Sequence, residues 1–257
     1  MIAGTVAFMA GIPLQFTAHY RSALMMVAHT TEWLASRGQQ LQLAFPTTTD
    51  HAQARNRIAE DADGEWVFMT DCDHTFDADI VQQLVLTMEA TDTPMEVLSG
   101  MYFQRGGCMP VAYVFNEEQQ LFQQVIDYPT TGPFRVHGVG GGALLVHMNV
   151  FDRIRNELGE RPFDNRYVET PAGKRWLMED LSFSKRCLEL GIQIWCHPGV
   201  VSRHLDLQEI GEEHYRAARC AVPEDQTQNF NTDGLAPVRS RERNGEATVL
   251  PLEHAPN

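Results

Sequence analysis

The chain has 257 residues, 43% of them hydrophobic and 21% charged, with a formal net charge of −14. That length buries well over half of its unfolded surface without disulfide or metal staples, and the composition excludes collagen, a coiled coil and wholesale disorder. The acid excess argues against a protein that grips nucleic acid by charge alone and leaves room for an acidic enzyme whose carboxylates hold a divalent cation.

From the N-terminus, Gly4 to Ala10 is an apolar run closed by Gly11 and Pro13, which predicts a buried first strand. Phe16 to Ser36 has helical spacing through Tyr20, Leu24 and Val27, with Gly38 as its stop. Leu41 to Phe45 is a second strand and His51 to Ala62 a second helix. Glu65 to Thr70 is a third strand that runs straight into Asp71-Cys72-Asp73. Asp77 or Asp79 caps a third helix over Ile80 to Met88, and Val97 to Phe103 is a fourth strand.

Further on, Val111 to Phe115 and Phe122 to Tyr128 are expected as hairpin arms. Gly138 to His147 is a glycine-rich turn feeding a strand, and Asn149 to Leu158 a helix. Gly159 to Arg175 is expected to be a long polar loop. Leu177 to Leu190 is helical, and Ile192 to Cys196 is a strand with His204 after it. The expected division is one domain over residues 1–221 and an irregular or disordered tail over 222–257, punctuated by Pro223, Pro237, Pro251 and Pro256. Five scattered cysteines without a CxxC pair suit reduced thiols, and no stretch is long and apolar enough to span a membrane. A cytoplasmic protein is expected.

Alternating strands and helices over the first hundred residues predict an α/β sheet with parallel strands at its centre. Ligands of such sheets sit beyond the carboxyl ends of the strands. Gly11, Thr47 to Thr49, Asp71 to Asp73 and Tyr102 fall at that edge, and Ala10 beside Gly11 is a donor-binding candidate. Two carboxylates leaving a buried strand repel each other unless positive charge lies between them. A hard cation takes oxygen ligands from such a pair and bridges phosphate oxygens. Arg55 is placed to clamp a diphosphate, and Arg105 is a phosphate or sugar candidate. Thr49 and Asp50 are candidates for a nucleobase or ribose. Gly141 and Gly142, with no Cβ, would admit a sugar to the backbone. Trp176 is either a stacking surface for an acceptor ring or a residue that closes the core, and Tyr102 is a second acceptor candidate. Glu179-Asp180 opens a helix, where acids are favoured by the dipole, or supplies a general base. Arg161, Arg166, Lys174 and Arg175 make a basic cluster in the polar loop, suited either to solvent or to an anionic acceptor.

Ala54-Arg55-Asn56, the run Trp66 to Phe76, Gly140 to Gly142, Glu179-Asp180 and His204 together resemble the GT-A glycosyltransferases, family-2-like members of bacterial and phage type, over roughly residues 2 to 206. The resemblance implies a Rossmann-like three-layer α/β/α sandwich with a central mixed, mainly parallel sheet. It implies a Mn²⁺ or Mg²⁺ ion held by Asp73 and His204 with Asp71, the last facing ribose or donor sugar beside Cys72. Asp180, or else Glu179, would be the catalytic base. The implied partners are a nucleotide-sugar donor, a UDP-sugar first, and an acceptor hydroxyl on a glycan, metabolite, protein or modified DNA base, with inversion favoured. The setting would be a bacterial cell or a phage-infected host.

Two other functions use the same residues. Asp71-Cys72-Asp73-His74-Thr75 also fits the DxDxT nucleophile motif of haloacid-dehalogenase-type phosphatases, with Lys174 or Lys185 as the charge clamp and Glu179-Asp180 holding Mg²⁺. That motif normally lies on the first strand. A non-catalytic nucleotide-sugar-binding domain is the third possibility.

Overall fold

A computed structural model of the chain describes residues 1–8, 17–48, 50–90, 95–205, 209–219, 228–230 and 247–251. In chain order the elements are β1 (Ile2–Phe8), α1 (Thr17–Ser36), β2 (Gln40–Ala44), α2 (His51–Asp61), β3 (Trp66–Thr70), β4 (His74–Phe76), α3 (Ile80–Glu89) and β5 (Val97–Met101). There follow β6 (Ala112–Asn116), β7 (Leu121–Val125), β8 (Phe134–Val136), β9 (Gly138–Val139), β10 (Leu144–His147) and α4 (Met148–Arg153), which runs into a π-turn over Ile154–Leu158. The last elements are β11 (Arg166–Thr170), β12 (Gly173–Leu177), α5 (Glu179–Glu189), β13 (Ile194–Leu205), β14 (Glu209–Ile210), α6 (Glu212–Arg219), β15 (Gln228–Phe230) and β16 (Ala247–Pro251).

The main sheet has the order β14-β13-β5-β10-β3-β1-β2, with β4 and β8 also paired to β13. β1 pairs in parallel with β2 and β3, and β5 with β13, while β10 runs antiparallel between β3 and β5. All five residues of β3 are buried, as a central strand covered on both faces requires. Alternate side chains enter two cores. Val6, Phe68, Leu98 and Leu145 pack under α1 and α3, whereas Ala7, Val67, Met69, Val97, Leu144 and Val146 join residues of α2, α4 and α5. This is a three-layer α/β/α sandwich with a mixed, mainly parallel sheet, consistent with the GT-A type. A second, antiparallel sheet has the order β15-β16-β7-β6-β9, so beyond residue 221 β16 pairs onto β7 and β15 pairs onto β16.

Two expectations need correction. The span from Gly159 to Arg175 is not a long loop, because β11 and β12 form a hairpin with Tyr167 opposite Trp176 and Thr170 opposite Gly173. Gly173, at φ +106°, sits where side chains are disfavoured, and Thr170 Oγ1 donates to its carbonyl at 2.6 Å. High charge density hid the strand alternation. The strand expected over Ile192 to Cys196, β13, is also longer than expected. Pro198 and Gly199 fall in a register shift between His197 and Val201, after which the strand continues to Leu205. His204 therefore lies inside β13.

Candidate active site

Asp71 leaves β3 and meets Arg55 from α2, whose Nη2 donates to Asp71 Oδ1 at 2.7 Å. Arg55 Nη1 donates to the Gly141 carbonyl at 3.0 Å, and Nε lies 3.6 Å from Glu179 Oε1. The Arg55 side chain is only 2% exposed. It is committed to the protein's own backbone and carboxylates, not offered to solvent as a diphosphate clamp. Its neighbour Asn56 is structural too: it donates to Asp164 Oδ1 at 2.7 Å and accepts from Phe163 N–H at 2.9 Å.

Asp73 belongs to a second group. Its Oδ2 accepts from Arg105 Nη2 at 2.7 Å and lies 3.3 Å from His204 Nε2. Its Oδ1 lies 3.9 Å from His74 Nε2. The pairing of β4 with β13 sets His74 opposite His204, and the rings lie 4.5 Å apart. The ligand-type atoms of Asp73, His74 and His204 all fall within 4.8 Å of one another. Asp71, expected among the metal ligands, stands outside this group against Arg55. His74 was missing from the expected set, and the available signal was its adjacency to Asp73 in the sequence.

The three residues fit a divalent cation. His204 Nδ1 is 3.1 Å from the Phe103 carbonyl, which only accepts, so Nδ1 donates there and Nε2 is the ring nitrogen turned to Asp73. His74 Nδ1 is engaged with Ser202 Oγ at 2.6 Å, and its Nε2 is buried with no hydrogen-bond partner. Burial first, and then the neighbouring His204, push the His74 pKa down to about 4, which keeps the ring in its ligand form at neutral pH. Burial disfavours charge on Asp73, but His204, His74 and Arg105 outweigh it and hold the carboxyl well below the usual carboxylate range.

The glycine turn serves these side chains. A Cβ on Gly140 would lie 1.8 Å from Tyr102 Oη, one on Gly141 2.1 Å from the Arg55 guanidinium, and one on Gly142 2.4 Å from the His74 ring. The space expected for a sugar at Gly141 and Gly142 is filled by the chain itself. Tyr102, expected at the acceptor, is buried, and its Oη accepts from Gly142 N–H at 3.3 Å.

Glu179 and Asp180 open α5 with opposite electrostatics. Both feel burial, which raises a carboxyl pKa. For Glu179, His51 (Nδ1 3.7 Å from Oε1) and Arg55 reverse the effect and lower it. For Asp180, burial and the charge of Glu179 push the pKa up to about 7. Asp180 Oδ1 also accepts from Leu181 N–H at 2.7 Å.

Trp176 is 46% exposed on the β11–β12 hairpin, edge-on to Tyr167 at 4.6 Å. Asp50 caps α2 by accepting from Gln53 N–H at 2.7 Å. Cys72 is half-buried between the two aspartates. Ala10, Gly11 and Thr49 lie outside the described residues. The basic cluster of the expected loop is largely neutralised: Arg161 pairs with Glu60 at 3.0 Å, Arg166 with Glu189, and Lys174 with Glu169 at 3.4 Å. Neither lysine that a phosphatase would require stands by Asp71. Lys174 is on the hairpin with Glu169, and Lys185 lies over the Phe115 ring, 4.1 Å from its centroid. No described helix is long and apolar enough to cross a membrane.

No family model matches the sequence, and neither does any curated protein. Solved structures of similar shape include A197 from STIV (TM-score 0.46, 13% identity, 79% of this chain and 85% of that one). Another is GalNAc-T7 with UDP, GalNAc and Mn²⁺ (0.49, 11%, 80% and 43%). A third is the inositol-1-phosphate CTP transferase from T. maritima (0.42, 8%, 85% and 96%). This chain spans 43% of the GalNAc-T7 chain. None of the three scores reaches one half, so the likenesses assign no activity to this chain.

Proposed function

We propose that this protein is a metal-dependent glycosyltransferase that moves a sugar from a nucleotide-sugar donor, a UDP-sugar first among them, to an acceptor hydroxyl, with inversion. The observation that carries this is the convergence of Asp73, His74 and His204 at the carboxyl end of β3, with one buried imidazole nitrogen left unpartnered. Asp73, His204 and His74 would hold Mn²⁺ or Mg²⁺; nitrogen ligands favour Mn²⁺ of the two. When bound, the ion supplies neutralisation of the leaving diphosphate. Asp71 is fixed by Arg55 and serves the ribose or donor sugar, beside Cys72. Asp180, whose pKa is raised to about 7, takes the proton of the acceptor hydroxyl. Glu179 stays ionised and keeps Asp180 basic. Trp176 offers its exposed face to the acceptor. Residues 1–221 would make up the catalytic unit.

Donor hydrolysis measured across nucleotide-sugars, with and without Mn²⁺, tests the assignment. Metal-dependent release of a nucleoside diphosphate, abolished in Asp73→Asn, is expected. Phosphate-ester hydrolysis lost in Asp71→Asn, with no nucleotide-sugar turned over, would replace the transferase with the phosphatase.

A further inference from the structure

The Asp73 oxygen nearest His204 already carries a cation. Arg105 Nη2 donates to Asp73 Oδ2 at 2.7 Å, and His204 Nε2 stands 3.3 Å from the same atom. Arg105 reaches this oxygen from a tight turn after β5. Gln104 N–H donates to the Met109 carbonyl at 2.8 Å, and Cys108 N–H to the Gln104 carbonyl at 3.1 Å. Gly106 and Cys108 take φ of +75° and +50° within that turn. The turn is therefore fixed at its base, while the Arg105 side chain is 49% exposed and only its head is engaged. Rotation about side-chain bonds alone is enough to release it.

A divalent ion at Asp73 and a guanidinium on the same carboxylate repel each other at this range. A released guanidinium at the mouth of the site is a planar fork that suits phosphate oxygens. Resting on the metal assignment above, we propose that Arg105 is a tethered cation: it holds Asp73 in the metal-free protein and passes to the donor's diphosphate when the metal binds. Metal and nucleotide then bind with positive coupling, because each favours the released arginine. Arg55 cannot play this part, since it is buried and held on three sides.

The experiment measures Mn²⁺ affinity of the full chain by electron paramagnetic resonance, alone and with saturating UDP, for wild type, Arg105→Gln, Arg105→Lys and Asp73→Asn. Removing a half-exposed competing ion pair is expected to tighten Mn²⁺ by about fivefold in Arg105→Gln without UDP. The tightening that UDP induces should shrink by a similar factor in Arg105→Gln. Arg105→Lys keeps the charge, so Mn²⁺ alone should bind as in wild type, with the UDP effect reduced. Equal or weaker Mn²⁺ binding in Arg105→Gln, with binding lost in Asp73→Asn, overturns the role of Arg105 and leaves the metal assignment standing. Absence of Mn²⁺ binding in wild type and Arg105→Gln alike overturns both. Thermal midpoints of wild type and Arg105→Gln are expected within about 2 °C, as an exposed pair contributes little to folding.

Discussion

Arg55 Nη2 lies 2.7 Å from Asp71 Oδ1, and the same guanidinium faces Glu179 and the Gly141 carbonyl while only 2% exposed. One buried cation thus serves two carboxylates from distant parts of the chain. Burial alone would lower the arginine's pKa, but Asp71, Glu179 and Asp180 together raise it. Arg55→Met would leave both carboxylates without their partner. Uncompensated buried charge of this kind costs about 3–5 kcal/mol, which for a chain of this size lowers the thermal midpoint by roughly 10 °C. Circular dichroism melts check this. A direct diphosphate clamp would instead show weakened nucleotide binding with an unchanged midpoint.

The glycine turn predicts a specific repair. Gly140→Ala drives a Cβ to 1.8 Å from Tyr102 Oη and 2.6 Å from Val111 Cγ1. Overpacking of a fixed core costs about 1–3 kcal/mol. Tyr102→Phe removes the nearer atom and should recover part of the loss in the double variant, a coupling read from the double-mutant cycle. Gly142→Ala meets the His74 ring at 2.4 Å instead, so Tyr102→Phe should not rescue it.

Much of the sheet was legible because its strands are short apolar runs with glycine and proline between them, and β3 announces itself by five buried residues ending at Asp71. The carboxyl edge of the sheet followed from that order alone. What the sequence hid was pairing at long range. His74 and His204 meet only because β4 and β13 are antiparallel in that register, across 130 positions. The hairpin of β11 and β12 carries Arg166, Glu169, Lys174 and Arg175, so its alternation is charged on both faces and reads as loop. The charge of Arg55 suggests a diphosphate clamp, whereas burial against Asp71, Glu179 and the Gly141 carbonyl engages it within the protein itself. Ionisable side chains near a ligand edge do not reveal from sequence whether they face the ligand or one another.

The metal site makes separate predictions for the two aspartates. Asp73→Asn and His204→Ala each remove an atom of the converging group and should weaken Mn²⁺ by more than about 100-fold. Asp71→Asn should change Mn²⁺ affinity less than about threefold, because Arg55 and not the ion takes its Oδ1. Its effect should fall on donor affinity. His74→Gln tests the buried, unpartnered Nε2 and should shift metal preference toward Mg²⁺ by substituting oxygen for nitrogen. Isothermal titration with both ions reads all four variants.

Asp180 predicts both an activity profile and a stability profile. Its pKa of about 7 means that turnover should rise as pH increases through that value, and Asp180→Asn should lose about 10²–10⁴-fold in kcat with Mn²⁺ and donor affinity retained. The stability effect has the opposite sense. The folded state holds the Asp180 proton more tightly than the unfolded chain, whose carboxyl titrates near 3.8. Between those values the native protein binds more protons, so stability falls as pH rises from about 4 to about 7 and stays reduced above it. Asp180→Asn cannot ionise and escapes the loss. It should melt higher than wild type at pH 8, by at least about 2–4 °C if the relief is about 1 kcal/mol, and the gap should close as pH approaches 4. An inactive variant that is more stable in alkali identifies a carboxylate kept basic at the expense of folding; an equal melting point at both pH values would mean that Asp180 is not the buried, charge-stressed group this site requires.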